Sequence, residues 1–526
     1  MCVDILLCKE DMLGKKNVSL QITNSICLVQ EKVKISVVLQ HILSIFISKN
    51  IIMRMNRFEE YNEEVEYLVK QFELTITEHR AKFFDLDELE IIITFYLETG
   101  DVVMMEESVN YAENLYPESV NIRLHRAQLL GIMERFDQAL LLLQELEQLE
   151  PDNDDVKYTM AVIYGQKCEH EKAIFYYKQL FHGDNDLETI YENTAGEYLQ
   201  LGEYETAIEY YNKVLKENPQ NDSSVLDLSM CYETLGRYDE NVKFLQKYVS
   251  DNPYSKKGWF TLGLGYSTMK LYEKAIEAFD YAIAIDEKFF LAYSAKANSY
   301  TELKKYQEAI SILNEALNYC PEKEMIFYFL GKNYSLMKNH ELAAIYYKKA
   351  IYIVPHNVFA WLGVAKSYSE LDDYNSVEEY LDRAFDANPE SLELIMGSVE
   401  IYADFGKDDM VDMCFQKFMD LQIDNIFYWI DFAKIYIKLE DYDKVTKVIN
   451  NAVQYVEDIN EMMLYSAICS YKLGKREEAY DKLRNYFGTK EIFFGDSIFT
   501  ICPEMENDSV IHDIVDSFNS RQSNIE

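Results

Sequence analysis

Seven of the eight prolines in this chain lie on a grid with a period of 34 residues. The gaps between neighbours on that grid are 34 or 68 residues, and the prolines are Pro117, Pro151, Pro219, Pro253, Pro321, Pro355 and Pro389. Proline cannot continue a helix because it lacks a backbone N–H and its ring clashes with the preceding turn. Its regular return therefore marks the same helix exit in a series of similar units. The grid predicts a stack of helical hairpins and narrows the function to recognition.

Other residue types follow the same period when each unit is counted from 31 residues before its proline position. The unit starts are Leu86, Val120, Asp154, Glu188, Asp222, Lys256, Phe290, Glu324, Val358, Leu392, Ile426 and Asn460. Position eight is Ala, Gly or Ser in ten of the twelve units, and position eleven is tyrosine in ten. Alanine recurs at position twenty, and glycine at position fifteen, in the turn between helices. All three tryptophans, Trp259, Trp361 and Trp429, occupy position four.

This pattern resembles the tetratricopeptide repeat, whose signature is W-x2-L-G-x2-Y followed by A-x3-F, an alanine and a closing proline. The unit that begins at Lys256 carries most of it, as Trp259, Leu262, Gly263, Tyr266, Ala275, Phe279 and Ala282. The match runs through twelve contiguous units, from residue 86 to residue 493. The resemblance implies an all-α, right-handed superhelical solenoid of about twelve hairpins. Small residues at positions eight and twenty let the two helices approach, and large residues at four, eleven and twenty-four fill the space around that contact.

The charge and the cysteines limit the class of partner and the compartment. The formal net charge is −40, which opposes binding to nucleic acid phosphates or to anionic membrane surfaces. Two interpretations stay open: the acidic excess keeps a long solenoid dissolved, or it attracts a basic partner. The nine cysteines are scattered singly, without a C-x-x-C pair. Such usage fits the reducing cytoplasm better than a disulfide framework.

The two ends of the chain differ from the repeats. Residues 1–54 carry seven bases against four acids and lack the grid, and we interpret them as a mis-assigned start or a poorly ordered extension. The hypothesis is that the protein begins at Met55 or Met53. Residues 55–85 are expected to form an entry helix or hairpin before the repeats at 86–493. Residues 494–526 are expected to end in a capping helix, begun by Ser509.

No recognised catalytic or ligand motif is present. The sequence lacks the phosphate-binding G-x-x-x-x-G-K, a G-x-G-x-x-G after a strand, and an H-E-x-x-H zinc pair. The acidic run at residues 152–155 does not match a calcium loop, because the glycine and final glutamate are missing. The chain is therefore predicted not to be an enzyme and to bind no cofactor or metal.

Recognition is then the expected function, and the resemblance indicates where it would occur. In the family, positions two, five, nine and twelve of the first helix face a bound peptide in the concave groove. The candidate groove residues are Phe260, Asn298, Tyr328, Lys332, Phe359, Lys366 and Lys434. Lys332 and Lys366 are equivalent positions in adjacent units, so together they could hold an acidic group. The alternative is that these lysines pair with Glu302 and Glu370, their neighbours in repeat coordinates.

We therefore expect a non-catalytic scaffold that binds peptide segments or protein partners along the groove, with no nucleic acid and no membrane insertion. The alternative is a regulatory sensor whose solenoid changes curvature when a peptide binds. The sequence shows no convincing DNA-binding helix-turn-helix ahead of the repeats, which such sensors usually carry.

Overall fold

The computed structural model of the chain describes residues 63–78, 82–182, 185–456, 459–489 and 496–522. Throughout those residues the secondary structure is helical, with turns between the helices and no β-strand. The prediction of an all-α fold is confirmed. The chain divides after Pro219 into two compact units, which are described separately. The predictions for residues 1–54, and for a start at Met53 or Met55, concern residues outside the described ranges.

The first unit is described from a single helix, α1, followed by paired helices. The pairs are α2 and α3 (Leu86–Thr99, Val102–Leu115), α4 and α5 (Val120–Ile132, Phe136–Leu149), α6 and α7 (Asp154–Gln166, His170–Gln179), and α8 and α9 (Leu187–Gln200, Tyr204–Glu217). Helix α1 spans Glu63–Glu78 and buries Phe72 completely. The Phe72 ring centroid lies 5.8 Å from that of Phe84 and 5.6 Å from that of Tyr111. Helix α1 therefore covers the open side of the first pair.

The second unit continues the same series of pairs. They are α10 and α11 (Asp222–Thr234, Tyr238–Asp251), α12 and α13 (Lys256–Thr268, Tyr272–Ile285), α14 and α15 (Phe290–Glu302, Tyr306–Tyr319), α16 and α17 (Lys323–Leu336, His340–Ile353), α18 and α19 (Val358–Ser369, Tyr374–Ala387), α20 and α21 (Leu392–Asp404, Asp408–Asp420), α22 and α23 (Ile426–Lys438, Tyr442–Ala452), and α24 and α25 (Asn460–Lys472, Arg476–Thr489). In both units the first helix of each pair begins within one residue of the start that the proline grid predicts.

Short polar side chains fix where the first helices begin. Ser119, Asn153, Asn221, Ser255 and Asn357 each precede a first helix and accept a hydrogen bond from the backbone N–H three residues further on. The first N–H groups of a helix have no partner inside the helix, so a capping oxygen stabilises this end by about 1 kcal/mol. The chain therefore enters every such helix at a defined residue.

The turn inside each hairpin has one backbone conformation, whichever residue occupies it. Position fifteen lies in the left-handed region in all of the pairs. Its φ is +63° to +78° at Gly100, Gly202, Gly236, Gly406 and Gly474. Its φ is +55° to +62° at Glu134, Cys168, Lys270, Lys304, Lys338, Asp372 and Glu440. The recurrence of glycine at position fifteen indicates a turn in five of the hairpins. The structure shows the same left-handed backbone in the hairpins that have another residue there.

Close packing of helices depends on the small residues. The Tyr347 ring of α17 lies against both α16 and α18. A Cβ added to Gly331 would be 2.8 Å from this ring, and one added to Gly363 would be 2.7 Å from it. The alanines at position twenty, such as Ala275 and Ala309, are fully buried. Gly331 shows the predicted role of position eight and the buried alanines that of position twenty, whereas Gly363 adds a close approach at position six.

The tyrosines of position eleven make contacts both within their own hairpin and with the preceding hairpin. They stack on the tyrosine of position twenty-three in the same hairpin, with centroids 5.2–5.7 Å apart, in the pairs Tyr164–Tyr176, Tyr198–Tyr210, Tyr334–Tyr346 and Tyr368–Tyr380. The hydroxyl of the position-eleven tyrosine also accepts a hydrogen bond from the side chain at position twenty-five of the preceding hairpin. The pairs are Lys178–Tyr198 (2.7 Å), Gln246–Tyr266 (2.7 Å) and Lys348–Tyr368 (3.0 Å). Each such contact ties one hairpin to the next.

The tryptophans are structural, and two of them link to the proline grid. The indole Nε1 of Trp259 donates to the carbonyl of Pro253 at 2.9 Å, and that of Trp361 to Pro355 at 2.8 Å. Trp429 makes the equivalent bond to Ile423, where proline is absent from the grid. The bond therefore fixes the connection between hairpins with or without a proline.

The second unit ends in α26 (Asp496–Ile501), a 3-10 turn (Pro503–Asn507) and α27 (Ser509–Gln522). Helix α27 buries Ile511, Ile514, Val515 and Phe518 on one face and leaves Val510 half-buried. The capping residue differs from the prediction: Asp508 accepts from the backbone N–H of Val510, and Ser509 is already the first helical residue. Asp508 is the better cap because its carboxylate also bonds the Tyr480 hydroxyl at 2.7 Å.

Candidate partner-binding face

Position nine is exposed in five of the eight first helices of the second unit, half-buried at Leu264 and Lys332, and buried at Ile468. Asn298 on α14, Lys366 on α18 and Lys434 on α22 are exposed, and Lys332 on α16 is half-buried. Lys366 is the only exposed residue of α18, all of which is described. First helices of neighbouring hairpins contact each other directly. The position-nine residues therefore form a row along this layer of helices.

The lysines of this row have different neighbours. In the described part of the chain Lys366 forms no ion pair, so the expected pairing with Glu370 is not made. The Lys434 ammonium lies 3.0 Å from the Asp431 carboxylate one turn earlier on α22. Both of these side chains are half exposed, and a solvated pair of this kind contributes about 0.2–1 kcal/mol. The ion pair with Asp431 is therefore weak enough for Lys434 to exchange it for a carboxylate of a partner.

Position five belongs to the packing of the hairpins. Phe260 is only 5% exposed, and its ring centroid lies 5.9 Å from that of Phe279 and 5.3 Å from that of Phe289. This corrects the expectation that Phe260 reaches a partner, because the position-twenty-four ring of its own hairpin occupies the adjacent space. Tyr328 is half-buried, with its ring 5.8 Å from Tyr347, and burial raises its pKa. Tyr328 can offer only one edge of its ring.

Position two supplies the aromatic surface beside the row. Phe359 at the start of α18 is half-buried. Phe427, at the same position of α22, is 68% exposed and is not among the candidate groove residues predicted from the sequence. The repeat count alone could have identified Phe427, since it stands at position two and seven residues before Lys434. Phe427 and Lys434 are two turns apart, roughly 10 Å along α22, so an extended segment that reaches both could bury an apolar side chain at one and place a carboxylate at the other.

Within the described residues, the metal-ligating side chains are dispersed, and two of the cysteines are deeply buried thiols. No group of three or more His, Cys, Asp or Glu side chains there is arranged to hold a metal ion. Burial raises the pKa of the Cys231 and Cys414 thiols to about 12, so both are protonated at neutral pH and poor nucleophiles. Among the described helices none has both the length and the apolar character needed to cross a membrane.

Comparison with known families gives matches in the middle of the chain. Profiles described as tetratricopeptide repeat match residues 198–256, and then residues 257–289, 291–323 and 326–357. The matched stretch includes Phe260, Asn298, Tyr328 and Lys332. No curated protein matches the chain.

The chain also matches solved structures of proteins from bacteria and yeast, each with a TM-score below 0.5. A tetratricopeptide repeat protein from Parabacteroides merdae is 20% identical, covers 53% of this chain and 98% of its own, and has a TM-score of 0.35. Yeast Tom70 is 13% identical, covers 83% of this chain and 96% of its own, and has a TM-score of 0.38. The protein TTC0263 from Thermus thermophilus is 20% identical, covers 34% of this chain and 98% of its own, and has a TM-score of 0.29.

Proposed function

This chain is a tetratricopeptide repeat protein, and we propose that it holds protein partners on the first helices of its second unit without acting on them chemically. Repeats of this family are in general non-catalytic modules of protein interaction, which supports a scaffold. The finer part of the proposal concerns which residues bind. In this proposal the position-nine row and its aromatic neighbours line the groove.

The observation that carries the proposal is the exposed position-nine row. Lys332 and Lys366 occupy equivalent positions on α16 and α18, and these two helices are in contact. Packed helix axes lie roughly 8–10 Å apart. Alternate side chains of an extended peptide are separated by roughly 7 Å. Two acidic side chains on the same face of a bound strand could therefore meet both ammonium groups.

The expected partner segment is acidic and partly apolar. In a chain of net charge −40, Lys332 and Lys366 form a basic pair within the row, and the exposed Glu400 of α20 separates them from Lys434. Opposite charges across an interface raise the rate of association and make it sensitive to salt. Phe359, Phe427 and the edge of Tyr328 supply apolar surface beside the lysines. An extended segment with alternating acidic and aromatic or aliphatic residues fits this arrangement.

The test compares two charge-reversal variants in pull-downs from the native source, with bound proteins quantified. Lys332→Glu/Lys366→Glu should lower the recovery of the partner by about tenfold, equivalent to roughly 1.4 kcal/mol of binding free energy. Lys243→Glu/Lys447→Glu is the matched control: both lysines are exposed at position twenty-two of second helices, and the change in charge is the same. The control should retain the partner. Equal recovery with all three proteins would show that the row is not the binding site.

The sensor alternative predicts a different observable. Small-angle scattering would show a change in radius of gyration when the recovered partner segment is added. A scaffold should bind the segment with its radius of gyration unchanged.

A further inference from the structure

The turns inside the hairpins follow one edge of the second unit. Helix α12 contacts α14, α14 contacts α16, and α16 contacts α18, so the C-terminal ends of these helices lie side by side. Neighbouring turns are then separated by roughly 10 Å, the spacing of packed helices. We name the turns after α12, α14 and α16 the lysine edge; it consists of residues 268–271, 302–305 and 336–339.

Three consecutive hairpins place lysine where the backbone favours glycine. Lys270, Lys304 and Lys338 have φ of +60°, +59° and +60°. Five other hairpins have glycine at this position, which adopts that conformation without a clash of Cβ. Glu134, Cys168, Asp372 and Glu440 share this backbone conformation, so the three lysine turns are distinguished by their charge and not by backbone strain.

The lysine edge is positively charged and open to solvent. Lys270, Lys304, Lys305 and Lys338 are all exposed, and within the described ranges none of them forms an ion pair. The three turns contain four lysines and one acid, Glu302, which gives a formal charge of +3 in a chain of −40. The turn after α18 has the opposite character, because residues 370–373 include three acids. The basic surface is therefore confined to three adjacent turns.

Apolar side chains are exposed between these lysines. Leu271 is 38% exposed, Leu336 45% and Met337 42%. Leu271 and Met337 are each next to a lysine of the edge in the sequence, and Leu336 is two residues before Lys338, so charged and apolar groups are interspersed along it. A partner that contributed only charge would leave this apolar surface in water.

We propose that the lysine edge is a second docking surface, which binds an acidic amphipathic segment of a protein partner. Carboxylates of the segment meet Lys270, Lys304 and Lys338, and its apolar side chains cover Leu271, Leu336 and Met337. The surface is at the ends of the first helices and does not include the position-nine row. The proposal is therefore independent of the proposed groove.

A protein segment fits this edge better than a polyphosphate. The summed charge of −40 opposes the approach of nucleic acid or of an anionic membrane, whose charge is continuous over many residues or lipids. A short acidic segment can bind the local charge without lying over the acidic turn at 370–373. The exposed leucine and methionine also favour apolar side chains over phosphates.

The experiment measures binding of a labelled peptide made of Glu-Glu-Leu repeats to the full chain by fluorescence anisotropy. A Gln-Gln-Leu peptide and an oligouridylate of equal length are the comparison probes. Lys270→Gly/Lys304→Gly/Lys338→Gly removes the charges and also relieves the backbone, so this variant should fold at least as well as the parent. Lys270→Arg/Lys304→Arg/Lys338→Arg keeps the charge, and Glu134→Gly/Glu440→Gly relieves the backbone elsewhere without removing a lysine.

The expected result is that the Glu-Glu-Leu peptide binds the parent and the arginine variant alike. The triple glycine variant should bind it about tenfold more weakly, as loss of three solvated charge pairs predicts. The control Glu134→Gly/Glu440→Gly should bind like the parent. The triple glycine substitution should weaken binding by the same factor in the Lys332→Glu/Lys366→Glu background, where the groove row no longer attracts the peptide. Raising the salt to about 0.5 M should remove most of the difference.

Four outcomes would overturn the proposal. The first is equal binding of the acidic peptide by the parent and the triple glycine variant. The second is no preference for Glu-Glu-Leu over Gln-Gln-Leu, and the third is tighter binding of the oligouridylate than of the acidic peptide. Loss of binding only in Lys332→Glu/Lys366→Glu would place the peptide in the groove and would also exclude the lysine edge.

Discussion

At the scale of single residues, position fifteen shows how the backbone can be uniform while the sequence varies. Five of these residues are glycine, and the others include Glu134 and Glu440, with φ of +59° and +58°. A residue with a Cβ costs about 1–2 kcal/mol in this conformation. Neighbouring helices hold the turn in place, so the cost is met by the packing of the hairpin as a whole.

Replacing such a residue by glycine should stabilise the protein. We expect Glu134→Gly and Glu440→Gly each to raise the free energy of unfolding by about 0.5–1 kcal/mol, because relief of the strain exceeds the extra entropy of glycine in the unfolded chain. Urea denaturation followed by circular dichroism measures the change. Glu107→Gly, at an exposed site inside α3, should instead lose about 1 kcal/mol. A loss at position fifteen as large as at Glu107 would contradict the left-handed assignment.

At the scale of helices, one ring can set the spacing of three of them. The Tyr347 ring of α17 fills the space beside Gly331 of α16 and Gly363 of α18. Any added methyl group must push the ring or a helix aside. Since helices lie on both sides of the ring, moving either the ring or a helix costs packing energy.

Alanine at either glycine should therefore destabilise the second unit. We expect Gly331→Ala and Gly363→Ala each to cost about 1–3 kcal/mol, the range for overpacked cores. Thermal denaturation of each variant, alone and combined with Tyr347→Leu, measures the cost. The smaller side chain should recover most of the loss, and a purely additive double variant would show that the ring is not the obstacle.

The same substitution should have the opposite sign where there is space. Gly196 lies inside α8, and a Cβ added there would meet nothing within 4 Å. Gly196→Ala should raise the free energy of unfolding by about 0.5–1 kcal/mol, since alanine is the better helix former.

The sequence alone could predict the helices but only part of the candidate site. The proline period placed the first helices to within one residue, because each unit repeats the same caps, turns and small residues. Phe260 is predicted to contact a partner because position five faces the groove in the family. That position alone does not reveal that the Phe279 ring packs against Phe260. Phe427 could have been predicted from its repeat position, which is equivalent to that of Phe359. The pairing of Lys434 with Asp431 depends on rotamers that a repeat position cannot reveal.

At the scale of the whole molecule, the main question is how a stack of repeats ends. Helix α27 closes the second unit with Ile511, Ile514, Val515 and Phe518 turned inward, and exposes His512 and Asp513. The Phe518 ring centroid lies 5.5 Å from that of Phe487 on α25. A hairpin cannot bury its apolar side alone, so the last one depends on this polar-faced helix.

Loss of the ring should weaken this end. We expect Phe518→Ala to lower the free energy of unfolding by about 3 kcal/mol, as for other truncated core aromatics. Asp513→Ala, on the exposed face of the same helix, should stay within about 0.5 kcal/mol of the parent. Thermal unfolding gives the stability, and size-exclusion chromatography shows whether the open end associates. A Phe518→Ala protein with unchanged stability would show that α27 does not close the core.

The hydrogen bonds from position twenty-five to the tyrosine of position eleven make the junctions between hairpins interchangeable. Lys178, Gln246 and Lys348 all donate to the hydroxyl that the next hairpin presents at the same place. If residues 256–289 were excised, Gln246 would face Tyr300 instead of Tyr266, and the new junction would offer the same acceptor. Gene duplication or recombination in steps of one repeat could thus lengthen or shorten such a chain without the invention of a new interface. Added repeats could then bring new binding surface, and so new partners, while the junctions between hairpins stayed the same.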